Sequence, residues 1–90
     1  MSIEVKISPT LTRYTNEQSV ARVNGSTVGE CLDDLVKQFP DIKPALFNKR
    51  GRLHRYIDVC VNLESAYPEE LAKPVKDGDK LHVILVIAGG

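Results

Sequence analysis

Residues 75–90 read VKDGDKLHVILVIAGG, and this stretch decides the fold. Its first part, Asp77-Gly78-Asp79, is typical of a turn, because Gly and Asp adopt the backbone conformations that turns require. From Leu81 to Ile87 every residue except His82 is apolar. Such a run predicts a strand in the middle of a sheet, here over residues 80–88.

Alternate residues of this last strand face opposite sides of the sheet. We expect the core-facing set to be Leu81, Val83, Leu85 and Ile87. Because only one long helix is predicted to cover the sheet, the opposite row should be exposed, unless a loop or residues 41–47 cover it. A partly apolar exposed row in so small a protein predicts a partner-docking surface. We assign the row His82, Ile84 and Val86 to partner binding, together with Ile87 and Ala88, which connect it to the terminus.

Other strands are indicated by alternation of apolar and polar side chains. Residues 1–8 and 19–23 predict an antiparallel pair, and residues 56–62 predict a third strand. Residues 62–74 contain two prolines, so they hold at most a short strand or a single helical turn. Together the elements predict an α+β fold, a mixed sheet of four to five strands packed on one main helix, in a single domain over residues 1–90.

The main helix is predicted over residues 28–39, where apolar side chains recur at helical spacing. Ser26 or Thr27 can cap its first turn, and Glu30 lies where a capping box places a carboxylate. Pro40 ends it. The apolar stripe is expected to pack on the sheet rather than to bind a cofactor.

Size and charge limit the function. Ninety residues leave little interior for a catalytic pocket beside a core, which weakens the case for a stand-alone enzyme. Twelve basic and twelve acidic side chains give a net charge of zero, so we predict neither a nucleic-acid nor a membrane partner. The basic stretch 49–55 is interpreted as a solvated loop.

The cysteines and the hydropathy pattern predict a cytoplasmic protein. Cys31 and Cys60 stand far apart with no further ligand cluster, which favours buried, reduced thiols over a metal site or a disulfide. There is no apolar run near 18 residues and no leader pattern, so neither insertion nor export is indicated. Because the two cysteines have no further ligands near them in the sequence, we predict no bound metal.

The pair Gly89-Gly90 predicts how the chain works. Glycine has no Cβ, so its backbone can pass through a channel that any side chain would block. A carboxylate is a poor electrophile and needs activation, and the chain has no GxxxxGK[ST] loop for a nucleotide. We expect no bound cofactor, with ATP used by an activating partner. Gly90 would accept AMP and then sulfur, Gly89 would provide passage, and residues 88–90 would form a flexible tail.

The order of elements, the third strand YIDVCVN (56–62) and the closing stretch 75–90 resemble the MoaD/ThiS family of sulfur carriers, which have the ubiquitin-like β-grasp fold. The resemblance covers essentially the whole chain. Within the family, ISPTL (7–11) and GRLHRY (51–56) resemble CysO-type carriers. The chain departs from the family at Leu63, where glycine or aspartate is common, so that turn is expected to be built differently.

The resemblance implies a protein cosubstrate rather than an enzyme, monomeric when free. A MoeB/ThiF-like adenylyltransferase would activate Gly90, and the thiocarboxylate would give its sulfur to an enzyme such as a cysteine synthase. Two alternatives stay open. The chain could be the small subunit of molybdopterin synthase and bind the large subunit, or a ubiquitin-like modifier joined to lysine through Gly90. Ubiquitin's arginines before the diglycine are replaced by Val86 and Ala88, which argues against a eukaryotic activating enzyme.

Overall fold

A computed structural model describes residues 2–86, in which a mixed five-stranded sheet packs on one long helix. The strands are β1 (Ser2–Ile7), β2 (Val20–Asn24), β3 (Ile57–Val61), β4 (Glu64–Ser65) and β5 (Lys80–Leu85). The helices are α1 (Val28–Gln38) and α2 (Lys43–Leu46), with 3-10 turns at Pro9–Tyr14, Pro40–Ile42 and Glu70–Ala72. The strand order is β2-β1-β5-β3-β4. This is the predicted β-grasp architecture.

Strand β5 lies at the centre of the sheet, as its apolar composition predicted. It runs parallel to β1 and antiparallel to β3, and β1 is antiparallel to β2. Its inward residues Leu81 and Val83 are buried, and Leu85 packs at the margin of the core. The predicted extension of the strand over Ile87 and Ala88 lies outside the described residues.

Helix α1 begins directly after its predicted cap Thr27 and ends at Gln38, one residue before its predicted end. The Thr27 hydroxyl accepts a hydrogen bond from the Glu30 backbone N–H at 3.1 Å. The Glu30 carboxylate in turn accepts from the backbone N–H of Ser26 at 2.8 Å, one residue before the cap. This bond lowers the pKa of Glu30. Four residues of the helix are buried against the sheet: Val28, Cys31, Leu32 and Leu35.

Residues 41–47 complete the core rather than cover the outer face of the sheet. Ile42 and Leu46 are fully buried in the same apolar cluster as the inward face of α1. On the outer face, Ile84 and Val86 stay exposed. The alternative that this segment shields the outward row of β5 is therefore wrong.

A tight turn joins β3 to β4 and anchors the start of β5. Asn62 and Leu63 have φ of 51° and 75°, the left-handed conformation at both central positions of a two-residue hairpin turn. The Asn62 side chain donates to the Asp79 carboxylate at 2.9 Å and accepts from the Lys80 backbone N–H at 3.0 Å. Leu63 thus takes the backbone conformation in which glycine is favoured, despite its Cβ.

Candidate docking site

The outward row of β5 begins with a half-buried histidine and ends with exposed apolar side chains. Ile84 is 40% exposed and Val86 is 45% exposed, which confirms the exposure predicted for both. Ile84 lies directly opposite Asp58 on β3. Isolated exposed apolar residues are common, but these two are successive outward residues where the central strand β5 ends. Their part in docking stays a prediction.

His82 is less exposed than the row pattern predicted. On one side it pairs with Lys6 of β1, and on the other with Cys60 of β3. Directly opposed side chains in a sheet approach to about 5 Å, so these neighbours cover the ring. Its Nδ1 atom is buried and has no hydrogen-bond partner among residues 2–86.

A shallow cleft borders the row on the β1 side. It has a volume of about 300 Å³ and is lined by His82 and Ile84, by Lys6 of β1 and by Pro9 of the 3-10 turn that follows. Its floor is the β1–β5 seam. The exposed row therefore has a cleft along one side, and side chains of a second protein can enter that cleft.

The two cysteines differ in their surroundings. Cys31 is fully buried, as predicted, and burial raises the pKa of its thiol to about 11. Cys60 is half-buried, so the prediction that both thiols are buried is wrong for it. Burial, and after it the charge of Asp58, raises the pKa of the Cys60 thiol. A protonated thiol is a weak nucleophile, so this environment does not favour nucleophilic chemistry at Cys60.

The row ends beside Tyr56, a residue that the sequence analysis did not assign to the site. The Val86 backbone N–H donates to the Tyr56 carbonyl oxygen at 2.6 Å. Tyr56 is itself exposed, and its ring stacks on His54 with 4.8 Å between ring centroids. Its place as the first residue of the predicted third strand gave no sign of this, because only the strand order brings that end of β3 beside the end of β5.

The remaining predicted site residues, Ile87, Ala88, Gly89 and Gly90, lie outside the described residues, and their roles stay predictions, as does the flexible tail 88–90. Between residues 2 and 86, no cluster of three or more His, Cys, Asp or Glu side chains is placed to hold a metal ion. No helix in that range is long and apolar enough to span a membrane.

Comparison with known proteins gives matches along the whole chain. The ThiS family matches residues 5–90. The sulfur carrier protein CysO of Mycobacterium bovis and that of Mycobacterium tuberculosis H37Rv are each 30% identical over 93 aligned positions that cover all of both chains.

Solved structures are similar over the same length. A chain of the Amycolatopsis orientalis BexX/CysO complex is 35% identical with a TM-score of 0.88, covering 98% of this chain and 99% of that one. SAMP1 from Haloferax volcanii is 30% identical with a TM-score of 0.87, and the match covers both chains completely. The first of these structures is a complex of BexX with CysO.

Proposed function

The chain belongs to the ThiS family, and from that premise we propose that it carries sulfur as a thiocarboxylate on Gly90. Its likeness to CysO over the full length supports a sulfur-carrier role. In the proposed cycle, a MoeB/ThiF-like enzyme joins the Gly90 carboxylate to AMP and releases pyrophosphate from ATP. Hydrosulfide then attacks the acyl carbon, AMP leaves, and the thiocarboxylate remains.

The observation that carries the proposal is the exposed apolar row that leads toward the diglycine. Ile84 and Val86 are exposed where the central strand ends. Residues 87–90 follow at once, and four extended residues span at most about 14 Å. A partner that covers the row can therefore hold Gly90 in its active site while the folded domain stays outside.

Each residue of the site has a distinct task in this proposal. Ile84 and Val86 supply apolar contact area to the partner, with His82 between Lys6 and Cys60 at the far end of the row. Ile87 and Ala88 continue the contact toward the channel, and Gly89 passes through it. The chain itself performs no bond chemistry, so it acts as a cosubstrate.

We further propose that the sulfur goes to a cysteine-synthase-type enzyme in the cytoplasm. The resemblance to CysO-type carriers, together with the full-length likeness to the sulfur carrier protein CysO, is what favours this recipient. The proposal requires Gly90 to be the last residue of the working protein. The intact mass of the protein isolated from its own cells tests that requirement first.

The decisive experiment is mass spectrometry after incubation with ATP, sulfide and a MoeB/ThiF-like enzyme from the same genome. The intact mass should rise by the difference between a sulfur and an oxygen atom, and fragmentation should place the change at Gly90. Deleting Gly89-Gly90 should abolish it, whereas the control Lys37→Gln, on an exposed position of α1, should not. An unchanged wild-type mass with every activating enzyme of that genome would refute the proposal.

A second candidate is a protein modifier joined to lysine side chains through Gly90. The full-length likeness to SAMP1, whose name stands for small archaeal modifier protein, favours it. Conjugates of higher mass should then be captured from cells with the tagged wild-type chain and be lost with the Gly89-Gly90 deletion. Stable copurification with a molybdopterin synthase large subunit would instead support the other alternative, in which the chain is the small subunit of that enzyme.

A further inference from the structure

The loop between α2 and β3 concentrates the positive charge of the chain. We call residues 48–56, NKRGRLHRY, the basic loop. It holds four of the twelve Lys and Arg side chains and none of the twelve Asp and Glu side chains. A protein of zero net charge is thus divided into a positive loop and a negative remainder. The four cations are all exposed: Lys49, Arg50, Arg52 and Arg55.

Hydrogen bonds hold the basic loop in a defined shape. The Asn48 side-chain oxygen accepts from the backbone N–H of Arg50 at 2.8 Å and from that of Arg52 at 3.2 Å. The His54 ring lies on Tyr56 with 9° between the planes, and its Nε2 is 2.9 Å from the Pro44 carbonyl oxygen. The cations therefore project from an ordered backbone, so less conformational entropy is lost when they bind.

The charges of the basic loop are not neutralised within the described part of the chain. The ion pairs between residues 2 and 86 are Arg22 with Glu4 and Lys73 with Glu69. Neither includes a cation of the loop. Four exposed like charges in a short loop repel one another, so an external anionic surface would relieve the repulsion.

The basic loop lies where the chain leaves β5. Its last residue, Tyr56, accepts the hydrogen bond from the Val86 N–H. Tyr56 and Leu85 also line a cleft of about 370 Å³ with Tyr14 and with the exposed cation Arg13. Because residues 87–90 span at most about 14 Å, any protein that holds Gly90 presents its surface close to this loop.

We propose that the basic loop docks on an acidic surface that borders the tail channel of the MoeB/ThiF-like enzyme that activates Gly90. This inference rests on the proposed function. Opposite charges near the channel speed encounter and orient the carrier so that its tail meets the opening. A nucleic-acid ligand fits less well, because the negative remainder of the chain would repel a long polyanion.

The test compares two variants that each lose two positive charges. R52Q/R55Q changes the loop, and the control K76Q/K80Q removes two exposed cations at the start of β5, at the other end of the sheet. The readout is pyrophosphate release by a MoeB/ThiF-like enzyme of the same genome, at about 50 mM and about 500 mM salt. At low salt we expect kcat/KM of R52Q/R55Q to fall about fivefold through KM, the control to stay within about 1.5-fold, and the gap to close at high salt.

The other possible results distinguish failure of the docking inference from failure of the proposed role of Gly90. If wild type is adenylated and R52Q/R55Q matches the control at low salt, the docking inference is overturned and the role of Gly90 stands. If no enzyme adenylates the wild type, both are overturned. Fluorescence anisotropy with a short single-stranded RNA gives the third outcome: RNA binding that R52Q/R55Q abolishes, with unchanged kcat/KM, would make nucleic acid the ligand and refute the inference.

Discussion

The two ends of β5 are built in opposite ways. At the start of the strand, Asn62 and Asp79 satisfy each other and the backbone through a closed set of hydrogen bonds. At the other end, Ile84 and Val86 are exposed. One strand is therefore anchored where it begins and presents apolar surface where it ends. The difference indicates that stability and partner contact depend on different residues of the same strand.

The largest effect is expected from the inward side of β5. Leu81 is fully buried at the centre of the core. Leu81→Ala should lower the free energy of unfolding by about 3 kcal/mol, because it removes buried apolar atoms and leaves a cavity. Ile84→Ala, on the outward side, should cost less than about 1 kcal/mol. Urea unfolding measures both, and equal costs would contradict the assignment of the two faces.

The anchor at the start of β5 should rank next. Asn62→Ala removes the hydrogen bonds to Asp79 and to the Lys80 backbone, leaving part of a buried carboxylate unsatisfied. We expect a loss of about 2 kcal/mol in unfolding free energy. Asn24→Ala is the control, because the Asn24 side chain makes no hydrogen bond within residues 2–86. A similar loss in both variants would show that the anchor adds nothing specific.

The stability that the Asn62–Asp79 anchor contributes should depend on pH. Hydrogen bonds from the Asn62 side chain and then from the Lys76 backbone lower the pKa of Asp79 from its ordinary value of 3.8. Because the pKa of Asp79 is lower in the folded state, its ionised carboxylate stabilises the fold at pH values above the pKa of the unfolded state. This stabilisation is lost as the pH falls through the pKa of the folded state. The stability difference between wild type and Asn62→Ala should be full at neutral pH and shrink below about pH 4. A difference independent of pH would remove Asp79 from the explanation.

At the end of β5 where Ile84 and Val86 are exposed, an added charge should weaken binding of the activating enzyme while changing the stability of the fold little. Ile84→Lys places a cation in the outward row, and Asp58 directly opposite can pair with it. The affinity for the activating enzyme should fall at least about tenfold, while the unfolding free energy changes by less than about 1 kcal/mol. Leu63→Lys, at the anchored end, is the control. Calorimetric titration that finds equal affinities for both variants would exclude the row as the docking surface.

The smallest effect is expected at the turn before β4. Leu63 is 80% exposed and has a φ of 75°, so its side chain strains the backbone without burying much surface. Leu63→Gly should raise the free energy of unfolding by about 0.5 kcal/mol, since relief of strain exceeds the added chain entropy. Leu63→Ala keeps a Cβ and should give no such gain. If Ala stabilises as much as Gly does, backbone strain is not the cause.

Features set by local sequence were predicted well. Alternation located β1, β2 and β3, the Thr27 cap and Pro40 bounded α1, and the apolar run of β5 placed it at the centre of the sheet. These patterns express a repeat within one element, which a single sequence shows directly. The exposure of Ile84 and Val86 followed from the same reasoning.

Features that depend on distant neighbours were not predicted. Asn62 and Asp79 are 17 residues apart, and nothing local shows that they meet. Cys60 is less buried and His82 is less exposed than predicted, because the cover of each side chain depends on which strand lies beside it. The position of the basic loop beside the end of β5 likewise follows from strand order. Contacts across the sheet are fixed by topology, which periodicity does not encode.

The parallel pairing of β1 with β5 determines how the domain resists force. Both strands point the same way, from Glu4 opposite Lys80 to Ile7 opposite Val83. A pull applied between the beginning of β1 and the far end of β5 therefore slides the two strands past each other. The hydrogen bonds between them lie across the direction of that pull and must break together rather than one by one.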